Sequence, residues 1–292
     1  MKTLIIKTGA TGDVLRTTPL LRVLPGDIYW LTEDKNECLL KGLERIRESY
    51  SWSSRNRLHG RNFDTIINLE DSTEAALIIK EIAYEKLSGA YIDKNDTLTY
   101  TDDLADWFDL SLISRYGKKK ADELKLLNRR TYQEMLFSGL GYRFEGEKYM
   151  LANYTETDLH GDVAIAPKAG SVWPNKNWAF FSELKKMLEN DGYRVNYLPQ
   201  RATLYEHFGD IRNHQYCICG DSLPMHVALG FDIKCCSIFT CTSPWEIYEY
   251  GLLKKIISPR LDEYFYSRNY DVDATTTVDV ESVHKEVLTH LK

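Results

Sequence analysis

Four short segments carry the residue types from which a reaction could be built. The first is Lys7-Thr-Gly-Ala-Thr-Gly-Asp13-Val-Leu-Arg-Thr-Thr-Pro19. It reads as a strand end, a glycine-rich turn and a helix start. Gly9 and Gly12 allow backbone to approach a ligand closely. A helix N-terminus adds N–H groups and partial positive charge. The spacing is not G-x-G-x-x-G, and G-K-[ST] is missing, so neither the dinucleotide fingerprint nor a Walker A loop is present. Asp13 sits where a helix N-terminus favours an ionised carboxylate. Its plainer reading is a helix-start residue that satisfies backbone N–H groups.

The second segment is Ala166-Pro-Lys-Ala-Gly170-Ser171-Val-Trp-Pro-Asn-Lys176-Asn-Trp178. A Gly170-Ser171 turn, with Lys176 at the next helix start, suits a diphosphate; a solvated Lys176 fits the pattern too. In the third, Cys219-Gly-Asp221-Ser222-Leu223-Pro224-Met225-His226, Asp221-Ser222 opens a helix at the carboxyl end of a strand. Ligands bind there in open α/β sheets, and Pro224 fits the first helical turn. His226 lies one turn in, although a lone histidine is more often structural. The fourth, Phe239-Thr-Cys-Thr-Ser243-Pro244, is by itself a strand end running into a turn.

Elements that would position these segments follow from the apolar pattern. Strands are expected at Thr3–Lys7, Ile28–Leu31, Thr65–Leu69 and Leu87–Ile92. Helices are expected through Val14–Leu24, ended by Pro25-Gly26, and over Ser72–Tyr84. Lys118–Leu140 reads as one basic amphipathic helix, and Gly141–Leu159 as an interdomain linker. The pattern then restarts. Strands are expected at Asp162–Ala166, Tyr193–Leu198, Gln215–Cys219, Ile233–Phe239 and Lys255–Ser258. Helices are expected at Ala179–Asn190, Thr203–Arg212 and Ser222–Leu229, with a last one ending near Leu291. Strand alternating with helix implies parallel sheets covered on both faces. The chain's 292 residues exceed one ordinary α/β domain. Two domains are therefore expected, at 1–150 and 160–292, meeting at a cleft.

Composition narrows the function classes. With 43% hydrophobic and 27% charged residues the chain is of globular type, and a net charge of −6 argues against nucleic-acid binding. No run approaches the roughly 18 apolar residues that span a bilayer. The apolar run at the N-terminus is too short for a signal peptide. The expected location is cytoplasmic, with contact to the inner-membrane surface only through a lipid-linked substrate. Five of the six cysteines, Cys217, Cys219, Cys235, Cys236 and Cys241, fall within 25 residues of one another, but without paired C-x₂-C spacing. The first four read as small buried hydrophobes on strands.

Taken in order, the four segments resemble the family 9 glycosyltransferases, the ADP-heptose heptosyltransferases of lipopolysaccharide synthesis. That family opens with G-x-x-G-D-V and T-x-P, matched by Gly9-Ala-Thr-Gly12-Asp13-Val14 and Thr17-Thr18-Pro19. K-x-W is matched by Lys176-Asn-Trp178, D-[ST]-x-x-[MS]-H by Asp221-Ser222-Leu-Pro-Met225-His226, and T-[SD]-P by Thr242-Ser243-Pro244. The resemblance implies the GT-B fold, two Rossmann-like α/β domains facing a central cleft. It also implies an inverting, metal-free transfer with no cofactor. Asp13 would be the general base. Lys176 and the Ser222–His226 turn would hold the donor diphosphate, with Gly12, Gly170, Ser171 and Leu223 around it, and Asp221 would help fix the donor. The chain departs from the family where an additional β–α segment normally precedes the Asp-Ser motif. Here only Pro199 to Gly220 spans that gap, in a region that contributes to the nucleobase pocket. Thr240-Cys241 stands for the usual Gly-Pro, and Leu223 for a common glycine.

The acceptor, a glycan or other hydroxyl compound, is expected on the first domain. Arg55, Arg57 and Arg61 form one basic run that could meet an anionic or lipid-linked acceptor. Arg115, Lys118, Lys119, Lys120, Lys125, Arg129 and Arg130 form another, which reads equally well as a solvated helix face. Two rival functions stay open: a catalytically silent nucleotide-sugar-binding or scaffold subunit, and a Rossmann-type oxidoreductase.

Overall fold

The computed structural model describes residues 1–291. The chain divides into two compact units, one from Met1 to Ala152 and one from Asn153 onward. The first contains β1 (Lys2–Ile6), α1 (Thr11–Thr17), β2 (Asp27–Thr32), α2 (Glu37–Leu40), β3 (Ile46–Ser51), β4 (Asn62–Asn68), α3 (Thr73–Ile79), β5 (Ala83–Ile92), β6 (Leu98–Tyr100), α4 (Ala105–Phe108), α5 (Lys118–Leu127) and α6 (Tyr132–Gly139). Its sheet runs β3-β2-β1-β4-β5-β6. All pairs are parallel except β5–β6, which is antiparallel. Strand order reverses at β1 and β4, so their carboxyl ends flank the crevice where such sheets bind ligands.

The second unit contains β7 (Gly161–Ala166), α7 (Phe181–Asn190), β8 (Val195–Tyr197), α8 (Leu204–Arg212), β9 (His214–Gly220), α9 (Leu223–Gly230), β10 (Lys234–Phe239), β11 (Leu253–Ile257), α10 (Leu261–Tyr264), α11 (Val272–Thr276) and α12 (Val280–Leu291). Its sheet is parallel throughout, in the order β11-β10-β9-β7-β8. The reversal here lies between β7 and β9. Side chains alternate across the strands. Tyr216, Ile218, Cys236 and Ile238 pack with Leu184, Leu188, Val283 and Val287 of α7 and α12. Cys217, Cys219 and Cys235 therefore point to the other face, toward α9. All three are buried free thiols, as are Cys236 and Cys241. Burial pushes the Cys235 and Cys236 thiols up, which keeps them protonated and apolar in character.

Three expected helices differ, and one edge strand was not expected. The helix over Val14–Leu24 is α1 followed by a 3₁₀ turn, Thr18–Arg22. Pro19 supplies no N–H, so the α-helical ladder cannot continue through it. The helix expected over Ser72–Tyr84 ends at Ile79, and β5 starts at Ala83 with four exposed residues. That solvated stretch carries no alternation to mark it as a strand. β3, Ile46-Arg-Glu-Ser-Tyr-Ser51, is an edge strand, and its charges hid it. Lys118–Leu140 is two helices. Thr131 and Glu134 form a capping box that starts α6 afresh, and α6 is mostly buried where α5 is mostly exposed.

The segment expected as a linker contains the unit boundary and is anchored at both ends. Arg22 Nε donates to Lys148 O at 2.8 Å and Met150 N to Thr18 Oγ1 at 2.8 Å. On the other side Thr155 N donates to Tyr205 O at 2.9 Å, and Thr157 Oγ1 to Asp210 at 2.6 Å. Among the described residues no helix is long and apolar enough to cross a membrane.

Candidate functional site

In the first unit the turn after β1 is short. The N-cap of α1 is Ala10, so Gly12 lies inside the helix rather than in the turn, and Asp13 sits in the first helical turn instead of capping it. Asp13 forms an ion pair with Arg16, its Oδ1 2.9 Å from Nε; Asp13 is 35% exposed and Arg16 12%. Arg16 in turn lies over the Tyr132 ring, 4.1 Å from its centroid. Tyr132 is buried, its hydroxyl 2.6 Å from Thr17 Oγ1 and its ring edge-on to Trp107. Gln133 Nε2 donates to Arg16 O at 2.9 Å. Asp13 is thus presented by an arginine clamped between α1 and α6. The sequence reading missed Arg16, Tyr132 and Gln133, because 115 residues separate Thr17 from Tyr132.

The same strand end holds a second buried pair. Lys7 Nζ lies 3.0 Å from Glu70 Oε1, which also accepts from Thr8 N at 2.7 Å and Gly9 N at 3.3 Å. Buried Asn36 donates to Thr8 O at 2.7 Å and accepts from Thr11 Oγ1 at 2.8 Å. Burial pulls the Lys7 ammonium down, but Glu70 and Asp13 more than offset it and leave it above the usual lysine range. Of the turn's N–H groups, which a nucleotide phosphate would need, those of Thr8 and Gly9 are already taken by Glu70.

In the second unit three of the four segments converge at the β7–β9 reversal. Lys176 Nζ donates to Asp221 Oδ2 and to Asp221 O, each at 2.8 Å, and Thr242 Oγ1 donates to the same Oδ2 at 2.8 Å. Lys176 and Asp221 are each 15% exposed. Buried Asn175 accepts from Thr240 Oγ1 and from Asp271 N, and donates to Asn269 O. A Cβ on Gly220 would stand 2.7 Å from Lys176 O, so only glycine allows this approach. Gly220, Asn175 and Thr242 were not among the expected site residues, although each lies beside or inside a quoted motif.

Gly170 and Ser171 lie exposed in the loop after β7, and Lys176 ends a 3₁₀ turn, Pro174–Lys176. Ser222 is the N-cap of α9 but its side chain does not cap; its hydroxyl points to Gly220 O at 3.3 Å. The Met225 N–H already donates to Ser222 O at 3.1 Å. Pro224 has none. Ser222 and Leu223 keep the first-turn N–H groups that could meet a ligand. His226 is 4% exposed in α9, within electrostatic reach of Asp221.

Burial would raise the Asp221 carboxyl, but the charge and hydrogen bond of Lys176, then His226 and Thr242, reverse this and hold it at about 2. A depressed carboxylate stabilises the fold above its unfolded value of 3.8 and loses that stabilisation as pH falls through about 2. The expected contribution is about 2 kcal/mol at neutral pH. Urea unfolding of Asp221→Asn, followed from pH 5 down to about pH 2, should show a flatter acid limb than the parent protein. Parallel limbs would remove the assignment.

The basic runs are largely engaged. Arg57 and Arg61 both pair with Glu48, and Arg55 stands 5.0 Å over the Trp52 ring. In the second run Lys118, Lys120, Arg115 and Arg130 pair with carboxylates, as a solvated helix face does.

Two α/β sheets, each reversing strand order at a loaded strand end, have solved counterparts. The chain is similar to the E. coli heptosyltransferase WaaC with ADP, at 16% identity over 99% of this chain and 100% of that one, with a TM-score of 0.66. The fold is that of the heptosyltransferases. A glycosyl transferase family 9 protein from Veillonella parvula aligns at 16% identity over 99% of this chain and 97% of that one, TM-score 0.69. E. coli ADP-heptose lps heptosyltransferase II aligns at 14% over 100% and 98%, TM-score 0.62. No protein-family profile and no curated protein matches this chain. Within the heptosyltransferase fold, this chain has only α8 between β8 and β9, consistent with the short Pro199–Gly220 span.

Proposed function

We propose that the protein is a glycosyltransferase that moves a sugar from a nucleotide diphosphate to an acceptor hydroxyl, by inverting displacement and without a metal ion. The carrying observation is the Lys176–Asp221–Thr242 network. It gathers three separated motifs at the strand reversal of the second unit, in a heptosyltransferase fold. The second unit, expected at 160–292, is read as the donor domain and the first, 1–150, as the acceptor domain. ADP-heptose is the proposed donor, from the motif resemblance and from the similar E. coli heptosyltransferase WaaC, solved with ADP and with ADP-2-deoxy-2-fluoro heptose.

In this reaction the acceptor oxygen bonds the anomeric carbon while the bond from that carbon to the phosphate oxygen breaks. Asp13 takes the acceptor proton as the new bond forms, since a carboxylate is too weak a base to ionise an alcohol beforehand. Arg16, held on Tyr132, fixes the carboxylate's direction. Charge growing on the leaving diphosphate meets Ser222 N–H, Leu223 N–H and the α9 dipole. A lysine ammonium has three donors. Lys176 spends two on Asp221, which leaves the third for a phosphate oxygen.

The oxidoreductase reading is disfavoured by Glu70, which occupies the turn a dinucleotide would need. The single helix between β8 and β9 favours one second reading, a nucleotide-sugar-binding subunit without turnover. Calorimetric titration with ADP, UDP and GDP, followed by transfer assays with the sugars of whichever binds, separates the two. Transfer is expected to persist in EDTA. Asp271-Val-Asp273 has Asp-x-Asp spacing, but Asp271 caps α11 by accepting from Asp273 N at 2.9 Å. Activity lost to EDTA and restored by magnesium or manganese would count against this mechanism.

A further inference from the structure

The first unit holds a cavity of 610 Å³ at the carboxyl ends of β1 to β4, over the β1–β4 strand reversal. Thr8 and Gly9, which line it, connect β1 to the helix that carries Asp13. Its size is that of a small-molecule site. Its charge is one-sided: the carboxylates of Glu33, Asp34, Glu70 and Glu74 line it, against the single ammonium of Lys35. Trp52 supplies an aromatic wall.

The partners of these groups set what is left for a ligand. Lys35 pairs with Glu33 at 2.9 Å, and Lys7, from behind, pairs with Glu70 at 3.0 Å. Asp34 accepts from the Ser53 hydroxyl and Ser53 N, which direct its carboxylate without cancelling its charge. Glu74 lies exposed in the first turn of α3. Two carboxylates are thus in excess of the ammonium groups. Arg55, though it stands over the Trp52 ring, is not among the lining residues, and neither are Arg57 and Arg61.

We propose that this cavity is the acceptor subsite and selects a sugar unit without an acidic group, an amino sugar being preferred to its neutral counterpart. The proposal rests on the reading of the protein as a sugar transferase with Asp13 as base. Carboxylates accept hydrogen bonds from sugar hydroxyls and from an ammonium, and an aromatic wall suits the C–H face of a sugar ring or a cation. The same excess of carboxylates repels a uronate or other acidic sugar. An anionic glycan, which the arginine run had suggested, is the ligand this cavity excludes.

A matched set of probes tests this: the methyl glycosides of glucosamine, glucose and glucuronic acid, titrated into the full-length protein. The Trp52 indole N–H resonance, assigned with Trp52→Phe, reports occupancy. The glucosaminide should bind most tightly and the glucuronide roughly three- to tenfold more weakly than the glucoside. Asp34→Asn with Glu74→Gln should narrow that spread. A glucuronide that binds as well as the glucosaminide, or no movement of the Trp52 resonance with any probe, overturns the proposal. Transfer assays on the same three glycosides keep the two ideas apart. Charge-ordered binding with no transfer from any donor would remove the transferase reading, and with it the acceptor role, and leave a charge-selective sugar site. Transfer onto acidic sugars as readily as amino sugars would remove only the charge selection.

Discussion

Asp13→Asn is expected to lower turnover by roughly 10²–10⁴ while leaving donor affinity nearly unchanged. Asparagine keeps the size and one acceptor oxygen, so Arg16 retains a partner, but the proton sink is gone. If Asp13 served only the helix start, the same change would have little effect on turnover. Asparagine is tolerated near helix N-termini, and the N-cap itself belongs to Ala10. The structure sharpens the contrast, because Asp13 is more than a third exposed and faces Arg16 rather than closing α1. Steady-state rates on a competent acceptor, together with donor calorimetry and a melting curve, decide it. Near-normal turnover in Asp13→Asn would sink the general-base assignment.

Lys176→Ala should produce the largest change in stability. Removing one partner of a mostly buried pair leaves Asp221 uncompensated, which typically costs about 3–5 kcal/mol. Donor affinity should also fall, by about 1.5–3 kcal/mol, if the third Lys176 donor meets a phosphate. The two effects separate in Lys176→Met combined with Asp221→Asn. That variant carries neither buried charge, so most of the lost stability should return. Donor affinity should not. Full donor affinity in this double variant would make Lys176 a purely structural residue and move the phosphate site elsewhere. Urea unfolding and calorimetry of the three proteins give both answers.

The legibility of the fold followed solvent exposure. Buried parallel strands such as Thr3-Leu-Ile-Ile6 and Ser237-Ile-Phe239 read directly, because both of their faces are buried and most of their residues are apolar. The solvated edge strand β3 and the exposed first half of β5 did not, since their pairing comes from neighbours that a one-dimensional pattern cannot show. The break between α5 and α6 was written in Thr131 and Glu134, but the run of lysines and leucines on either side masked it.

The candidate site divides the same way. From sequence alone came the order of four motifs, the alternation of strand and helix, and the presence of Asp13, Lys176, Asp221 and His226 near strand ends. These are local properties, set by residue type and spacing. The tertiary structure decided which groups are still available for chemistry. Arg16 reaches Asp13 from the same helix, but it is held there by Tyr132 from far along the chain. Glu70 takes the Thr8 and Gly9 N–H groups of the glycine-rich turn that looked open to a ligand, and Glu48 occupies two of the arginines that looked fit for an anion. Lys176 and Asp221, read as two separate donor contacts, are one ion pair. A charge's partner is chosen by folding, over separations of tens of residues. Its availability to a ligand is therefore a property of the packed molecule, not of the motif that contains it.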